Sequence, residues 1–138
     1  MQDDPYVFRQ SAPSIAEYVR LRSTSGLSPR TPEQAAGAVA NSWAFCHVRH
    51  APTDTAVAMG RIIGDGGWYF HIADMATLPD HQRRGLGRRI LTWLLDEIAT
   101  RAPANPYVTL MADAPGRPLY RSMGFVPTEP HSIGMRLG

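Results

Sequence analysis

The sequence predicts an α+β domain built on a single mixed central β-sheet flanked by helices. Three observations point there. Apolar stretches of strand length alternate with turn clusters through the middle of the chain. The hydrophobic period then changes to 3.6 between Gly85 and about Arg101. Beyond that stretch the pattern returns to strand, short helix and strand. At roughly 100–200 residues per domain, the 138 residues read as one domain over 1–138, without repeat or linker.

Taken in order, Tyr6 to Gln10 reads as a short first strand. Ser14 then caps an amphipathic stretch, Ile15 to Arg22, with Ile15, Tyr18, Val19 and Leu21 near helical spacing. Gly26-Leu27-Ser28-Pro29 breaks it. Thr31-Pro32-Glu33-Gln34 supplies a cap, a proline at the first position and an acid in the first turn, so an Ala-rich helix follows to about Asn41. Trp43 to Arg49 and Thr55 to Ile63 are strands around the turn cluster His50 to Asp54. Gly64 to Gly67 turns the chain into the longest strand candidate, Trp68 to Leu78, which Pro79 stops. The stripe Leu86, Ile90, Leu91, Leu94, Leu95 and Ile98 marks one helix face, ended by Pro103 and Pro106. Tyr107 to Ala112 is a strand and Arg117 to Met123 a short helix closed by Gly124. Phe125-Val126 and Ile133 to Leu137 read as final strands.

Composition excludes several classes. Cys46 is the sole cysteine, so neither an internal disulfide framework nor a Cys-rich zinc site exists, and no metal ligand set is singled out. No apolar run approaches about 18 residues, and MQDDPYVFRQ has no basic stretch followed by an apolar core. The expectation is a soluble, cytoplasmic domain with no membrane partner. All fourteen basic residues are arginine, which excludes a Schiff-base lysine. Four of them fall between residues 83 and 89. Such clustering suggests an anionic ligand at one place and no nucleic-acid surface, which would spread its charge over a face.

The chemistry-bearing segment runs from Met75 through Pro79 to Arg88, where a strand ends and a helix opens with Gly85 and Gly87. A helix N-terminus leaves several N–H groups unpaired and carries partial positive charge. Glycines there admit a phosphate to the backbone, so the segment reads as an anion cradle, with packing under a basic helix start as the alternative. The dinucleotide fingerprint fails because position 90 is Ile90, and the P-loop fails for want of lysine.

Gln82-Arg83-Arg84-Gly85-Leu86-Gly87 resembles the Gln/Arg-x-x-Gly-x-Gly/Ala signature of the GNAT superfamily of N-acetyltransferases. Leu119-Tyr120-Arg121-Ser122-Met123-Gly124-Phe125 is similar to that family's C-terminal element. Together they carry the resemblance over roughly Thr55 to Met135 by motif. It implies the GNAT fold, with a splayed strand holding acetyl-CoA as co-substrate. It also implies that Gln82, Arg83, Arg84, Gly85, Leu86, Gly87 and Arg88 hold the pyrophosphate through the backbone. Met75, Ala76 and Thr77 would pair with the pantetheine arm. Tyr120 would be the acid that protonates the leaving thiolate, with a buried tyrosine bonded to backbone as the alternative. The family often has Asn where this chain has Asp113, which puts that cofactor contact in doubt.

For the base, the strand offers His71 and Asp74, on opposite faces if the strand is regular. Histone-type members place a glutamate at the position of His71. The vertebrate arylalkylamine enzymes are more similar there, with one histidine at that position and another where this chain has Ala73. One imidazole acting through water, alone or with Asp74, is therefore expected, against a histidine merely satisfied at the sheet surface. Cys46 is read as core. Trp43, Phe45, Trp68, Tyr69 and Phe70 either line an acceptor cleft or pack in the core. The preferred expectation is acetyl transfer to a small primary amine such as an arylalkylamine, by direct attack in a ternary complex. The alternatives are acetylation of a protein N-terminus or side chain, and a non-catalytic acetyl-CoA-binding module. A homodimer is left open.

Overall fold

A computed structural model describes residues 4–138. Strand β1 (Tyr6–Arg9) leads to helices α1 (Ile15–Thr24) and α2 (Pro32–Asn41). Strands β2 (Ala44–His50), β3 (Thr55–Gly64) and β4 (Tyr69–Thr77) follow, then helix α3 (Leu86–Arg101), strand β5 (Tyr107–Leu110) and helix α4 (Arg117–Ser122). The five strands form one sheet in the order β1-β2-β3-β4-β5. The first four are antiparallel, and β5 joins β4 in parallel through the α3 crossover.

The helix starts follow from their caps. Ser14 accepts from the Glu17 N–H at 3.1 Å while Glu17 accepts from the Ser14 N–H at 3.1 Å. Thr31 and Gln34 repeat the same box at α2. Helix α3 buries Leu86, Ile90, Leu91, Leu94 and Ile98, each contributing roughly 1.5–3 kcal/mol of apolar burial. It can lie this close to the sheet because β3 carries Gly60 beneath it. A Cβ at Gly60 would stand 2.7 Å from both Ile90 Cγ2 and Met75 Sδ. Helix α1 packs on the opposite face of the sheet through Tyr18 and Leu21.

One irregularity organises the rest. Arg61 pairs with Ala73 and Met59 with Ala76, so Asp74 and Met75 share the space opposite Gly60. This is a β-bulge, one extra residue in β4, and Asp74 takes a left-handed conformation with φ 56° to make it. The β4–β5 ladder ends at the pair Ile72 and Leu110, while β4 continues to Thr77.

The expected final strands are absent among the described residues. Phe125-Val126 and Ile133 to Leu137 lie outside the sheet, which leaves β5 as an edge. The Phe125 N–H is spent on the Tyr120 carbonyl at 3.0 Å, and Thr128 to Ser132 form a turn closed at 3.2 Å. Pro127 and Pro130 have no N–H to give a ladder. Among the described residues no helix is long and apolar enough to cross a membrane.

Glu17 ties these parts together. Beyond its capping role, it accepts from the Ala56 N–H at 2.9 Å and from Arg49 at 3.2 Å. Burial pushes its carboxyl upward, but the Ala56, Ser14 and Arg49 donors outweigh this and lower it from 4.5 to about 2. A carboxyl depressed by folding stabilises above its unfolded value, and that stability is lost as pH falls through the folded one. Wild-type stability should therefore drop between pH 4.5 and about 2. Glu17→Gln should lower stability at neutral pH by about 1–2 kcal/mol and flatten that acid decline. A thermal-midpoint series against pH checks this, and parallel curves for the two proteins would exclude Glu17 as the acid-sensitive group.

Candidate active site

The loop between β4 and α3 leaves the start of α3 without a side-chain cap. Arg83 and Gly85 both sit in the left-handed region, at φ 61° and 78°. Gly85 is the N-cap of α3, and no side chain there accepts from the first-turn donors. A Cβ built on Gly85 meets nothing within 4 Å, so open space lies in front of the helix start. This is the geometry of an anion cradle. Gln82 stabilises it from behind, its Nε2 donating to the Thr77 carbonyl at 3.1 Å. Gly87 has a different reason to be small, since its Cβ would lie 3.4 Å from Leu119 Cδ2 on α4.

The arginine cluster divides in two. Arg88 donates to Ser122 Oγ at 2.7 Å and Met123 Sδ at 3.2 Å, fastening α4 to the first turn of α3. Arg89 lies 5.3 Å over the Phe8 ring and 3.8 Å from Asp4. Arg83 lines the adjacent cleft, and Arg84 is exposed outside it.

That cleft encloses about 910 Å³ between β4, β5, the α1–α2 connection and α4. Its walls include His71, Asp74, the β4 edge Met75 to Thr77, Gln82, Arg83, Gly85 to Gly87, Met111 and Tyr120. The sequence-predicted donor and catalytic residues thus meet in one space, except Arg84 and Arg88, which do not line it. The residues also fit acetyl-CoA: the cradle offers N–H groups to a pyrophosphate, and Met75 to Thr77 offer an edge without a β5 partner to an extended amide chain.

His71 Nδ1 lies 2.9 Å from Thr109 Oγ1 on β5. Burial lowers its pKa below the ordinary 6.5, and the Arg61 guanidinium adds to the effect. The imidazole is therefore neutral at neutral pH. Tyr120 is half-buried, its ring stacked edge-on against Phe125 and close over Gly116, where a Cβ would come within 2.7 Å of Cε2. Burial raises the phenol above its ordinary 10.0, with Asp113 contributing, so it stays protonated.

The expectation that His71 and Asp74 occupy opposite faces is overturned by the bulge. Asp74 turns toward α1, the side on which Arg61 also projects. One oxygen accepts from Arg22, and the other accepts from Tyr18 and from Arg61 Nε at 2.6 Å. Burial acts to raise the Asp74 carboxyl, but the Tyr18, Arg61 and Arg22 partners hold it below the ordinary 3.8. Sequence reading does not single out Tyr18, Arg22 or Arg61. Two faint signals existed: the i,i+4 spacing of Tyr18 and Arg22, and a lone charge in the apolar strand around Arg61.

The aromatic residues do not line this cleft. Phe45 and Phe70 are core, Trp43 packs on Phe70, and Trp68 and Tyr69 are 57% and 41% exposed at the opposite end of β4. Burial pushes the Cys46 thiol up, with Glu97 adding to it, which leaves an inert core residue.

A family model described as an acetyltransferase (GNAT) domain matches residues 42–127. The [ribosomal protein bS18]-alanine N-acetyltransferase of Salmonella typhimurium is 39% identical over 71 residues, 51% of this chain and 46% of that protein. The alignment thus spans about half the length of the curated relative. The Escherichia coli K12 enzyme of the same name is 38% identical over 71 residues. Among solved structures, a probable acetyltransferase of unknown function from meticillin-resistant Staphylococcus aureus is 34% identical with a TM-score of 0.90, covering 96% of this chain and 98% of that one. A GNAT family acetyltransferase from Streptococcus pneumoniae shares the fold with a TM-score of 0.78 at 20% identity, covering 96% of each chain. Matched over most of the sheet and over both motif segments, the chain belongs to the GNAT acetyltransferase family, whose members use acetyl-CoA as co-substrate.

Proposed function

We propose that this protein transfers the acetyl group of acetyl-CoA to a primary amine by direct attack, with His71 and Tyr120 handling the protons. The observation that carries this reading is the single cleft shared by the α3 cradle, the free β4 edge, His71 and Tyr120. Acetyl-CoA supplies the activated thioester. With the proton on Nδ1 facing Thr109, His71 presents Nε2 as an acceptor for the amine proton, directly or through water. Tyr120 holds a proton for the departing thiolate sulfur. Backbone N–H groups from Arg83 to Arg88 orient the donor without depending on side-chain identity.

Two observations favour a peptide or protein amine over an arylalkylamine as acceptor. The aromatic side chains that motivated the arylalkylamine lie in the core or at the far end of β4. The relatives with 38–39% identity are named for acetylating the alanine of a ribosomal protein. Such an acceptor also fits a cytoplasmic reaction. Release of free thiol from acetyl-CoA, measured with an alanyl hexapeptide and with 2-phenylethylamine, tests both points. Faster turnover of the peptide supports the reading, preference for phenylethylamine restores the small-amine alternative, and acetyl-CoA binding without thiol release would indicate a binding module.

Three variants follow from the site. Gly85→Val must hold a β-branched residue at φ 78°, so the helix start shifts and acetyl-CoA affinity should fall at least about tenfold, roughly 1.4 kcal/mol. Calorimetry showing unchanged affinity would refute the cradle. His71→Ala should lower kcat by about 10²–10⁴-fold. It should also remove an acid limb whose midpoint lies below 6.5 in the wild type; a wild-type pH profile in the variant would assign the proton to solvent. Tyr120→Phe keeps the ring and deletes the hydroxyl. It should cut kcat by about ten- to a thousand-fold with acetyl-CoA affinity within about twofold, whereas loss of both together would make Tyr120 structural.

A further inference from the structure

One wall of the cleft is explained neither by the donor cradle nor by His71 and Tyr120. It consists of Arg22, Ser25, Gly26 and Leu27, the end of α1 and the start of the connection to α2. Its backbone bonds are local, Ser25 N–H to Leu21 O at 3.1 Å and Leu27 N–H to Arg22 O at 2.9 Å. These shape the turn but do not fix it to the sheet.

The Arg22 guanidinium does. Its Nη1 donates to one oxygen of Asp74 on the β4 bulge. Its Nε and Nη2 donate to the Ser28 carbonyl and Ser28 Oγ, each at 3.0 Å. The planar fork therefore spans from the sheet to Ser28 in the middle of the connection, which a point-charge ammonium could not do. The second Asp74 oxygen takes Tyr18 of α1 and Arg61 of β3, and Arg61 Nη1 also donates to Ser42 Oγ at the C-cap of α2 at 3.2 Å. Both helices that flank the connection thus converge on one carboxylate. Its side chain is 4% exposed and both of its oxygens are occupied, so it has little capacity left for an incoming ammonium.

We infer that Asp74, Arg22 and Ser28 form a latch that holds the Ser25–Ser28 segment in place as the acceptor-side wall, which makes Asp74 a positioning residue and not the proton acceptor. The inference rests on the acetyl-transfer reading for the word acceptor, but the latch itself is a property of the fold. It assigns distinct jobs to two neighbouring groups: His71 meets the amine proton, and Asp74 holds the wall that presents the amine. The bulge that turns Asp74 toward α1 lies just past the last β4–β5 pair, next to the β4 edge Met75 to Thr77 that has no β5 partner. Donor and acceptor sides are thereby built from adjacent residues of one strand.

The test has a structural arm and a kinetic arm, applied to the full chain. Hydrogen exchange of residues 25–28 is measured in wild type, Arg22→Lys, Arg22→Met, Asp74→Asn and Ser28→Ala. Exchange should rise at least tenfold in Arg22→Met and Asp74→Asn. Smaller rises are expected in Arg22→Lys, which keeps only the charge, and in Ser28→Ala, which keeps the carbonyl. Kinetics with the alanyl hexapeptide should show the peptide KM raised at least fivefold in Arg22→Met. The kcat should stay within threefold, and the acetyl-CoA KM within twofold. Should Asp74→Asn not fold, the exposed Ser28→Ala variant carries the test alone, with a two- to fivefold rise in peptide KM. Unchanged exchange at residues 25–28 in Arg22→Met and Ser28→Ala overturns the latch. So does an Asp74→Asn enzyme whose kcat collapses with an altered acid limb and an unchanged peptide KM, because that is the behaviour of a base. If wild type turns over neither amine, the transfer reading fails, while the exchange arm still decides the latch.

Discussion

The rest of the site depends on a single inserted residue in β4. Without the bulge, β4 would keep its alternation, and Asp74 would point to the α3 face, where Gly60, Ile90 and Leu94 leave no room for a carboxylate. The left-handed turn at Asp74 sends that carboxylate to the opposite face and lets Met75 take the place against α3 instead. Aspartate tolerates this conformation better than most side chains. The cost of burying its charge is offset by two guanidiniums and a phenol. Removing one member of such a group typically costs about 3–5 kcal/mol, so the bulge and its partners are held as a unit.

This arrangement sorts three titratable groups that share one cleft. Burial lowers the His71 pKa and the Arg61 charge adds to it, whereas burial acts to raise Asp74 and the Tyr18, Arg61 and Arg22 partners hold it down. The consequence differs with the group: a carboxylate held low is fixed as an anion, whereas an imidazole held low is left neutral and able to accept a proton. Tyr120 moves the opposite way because burial and Asp113 both disfavour phenolate. A neutral acceptor, a fixed anion and a protonated donor are then all present at the same pH. Environments that drive pKa values apart in this way separate acid from base roles.

Much of this could be read along the chain, because the signals were local. Ser14, Thr31 and Gly85 each marked a helix start through chemistry contained in the following turn, and the α3 stripe declared its period over sixteen residues. The open, uncapped start of α3 was legible for the same reason, since it is formed by consecutive residues. The bulge was not legible. A strand with one extra residue keeps an apolar composition, and only the partner strand reveals that two residues oppose one. The Asp74 partners were hidden too, because they come from β3 and from α1, 52 and 56 residues away in sequence for the α1 pair. The expected strands at Phe125-Val126 and Ile133 to Leu137 did not form, although Ile133, Met135 and Leu137 alternate. Alternation states which face would be apolar, but it does not supply a partner, and the prolines at 127 and 130 remove donors just where a ladder would begin. The choice between cleft and core for the aromatic residues stayed open for a related reason: closeness in sequence says nothing about which end of a nine-residue strand opens on the cleft.

The absence of lysine takes on meaning in this setting. Arg22 joins a helix, a loop and a strand, and Arg61 joins the bulge to the α2 cap. Arg88 joins α3 to α4. Each acts as a strap with several donors in fixed directions, a role that a compact ammonium on a flexible stem fills poorly. Arg88 fastens the short helix that carries Tyr120 to the first turn of α3. Leu119 packing on Gly87 secures the same joint. An anion seated on the backbone of α3 therefore rests on the element to which the phenol is fastened. Of the four arginines near the loop, Arg88 thus serves less as a diffuse positive charge than as the tie that keeps the α3 start and Tyr120 in one frame.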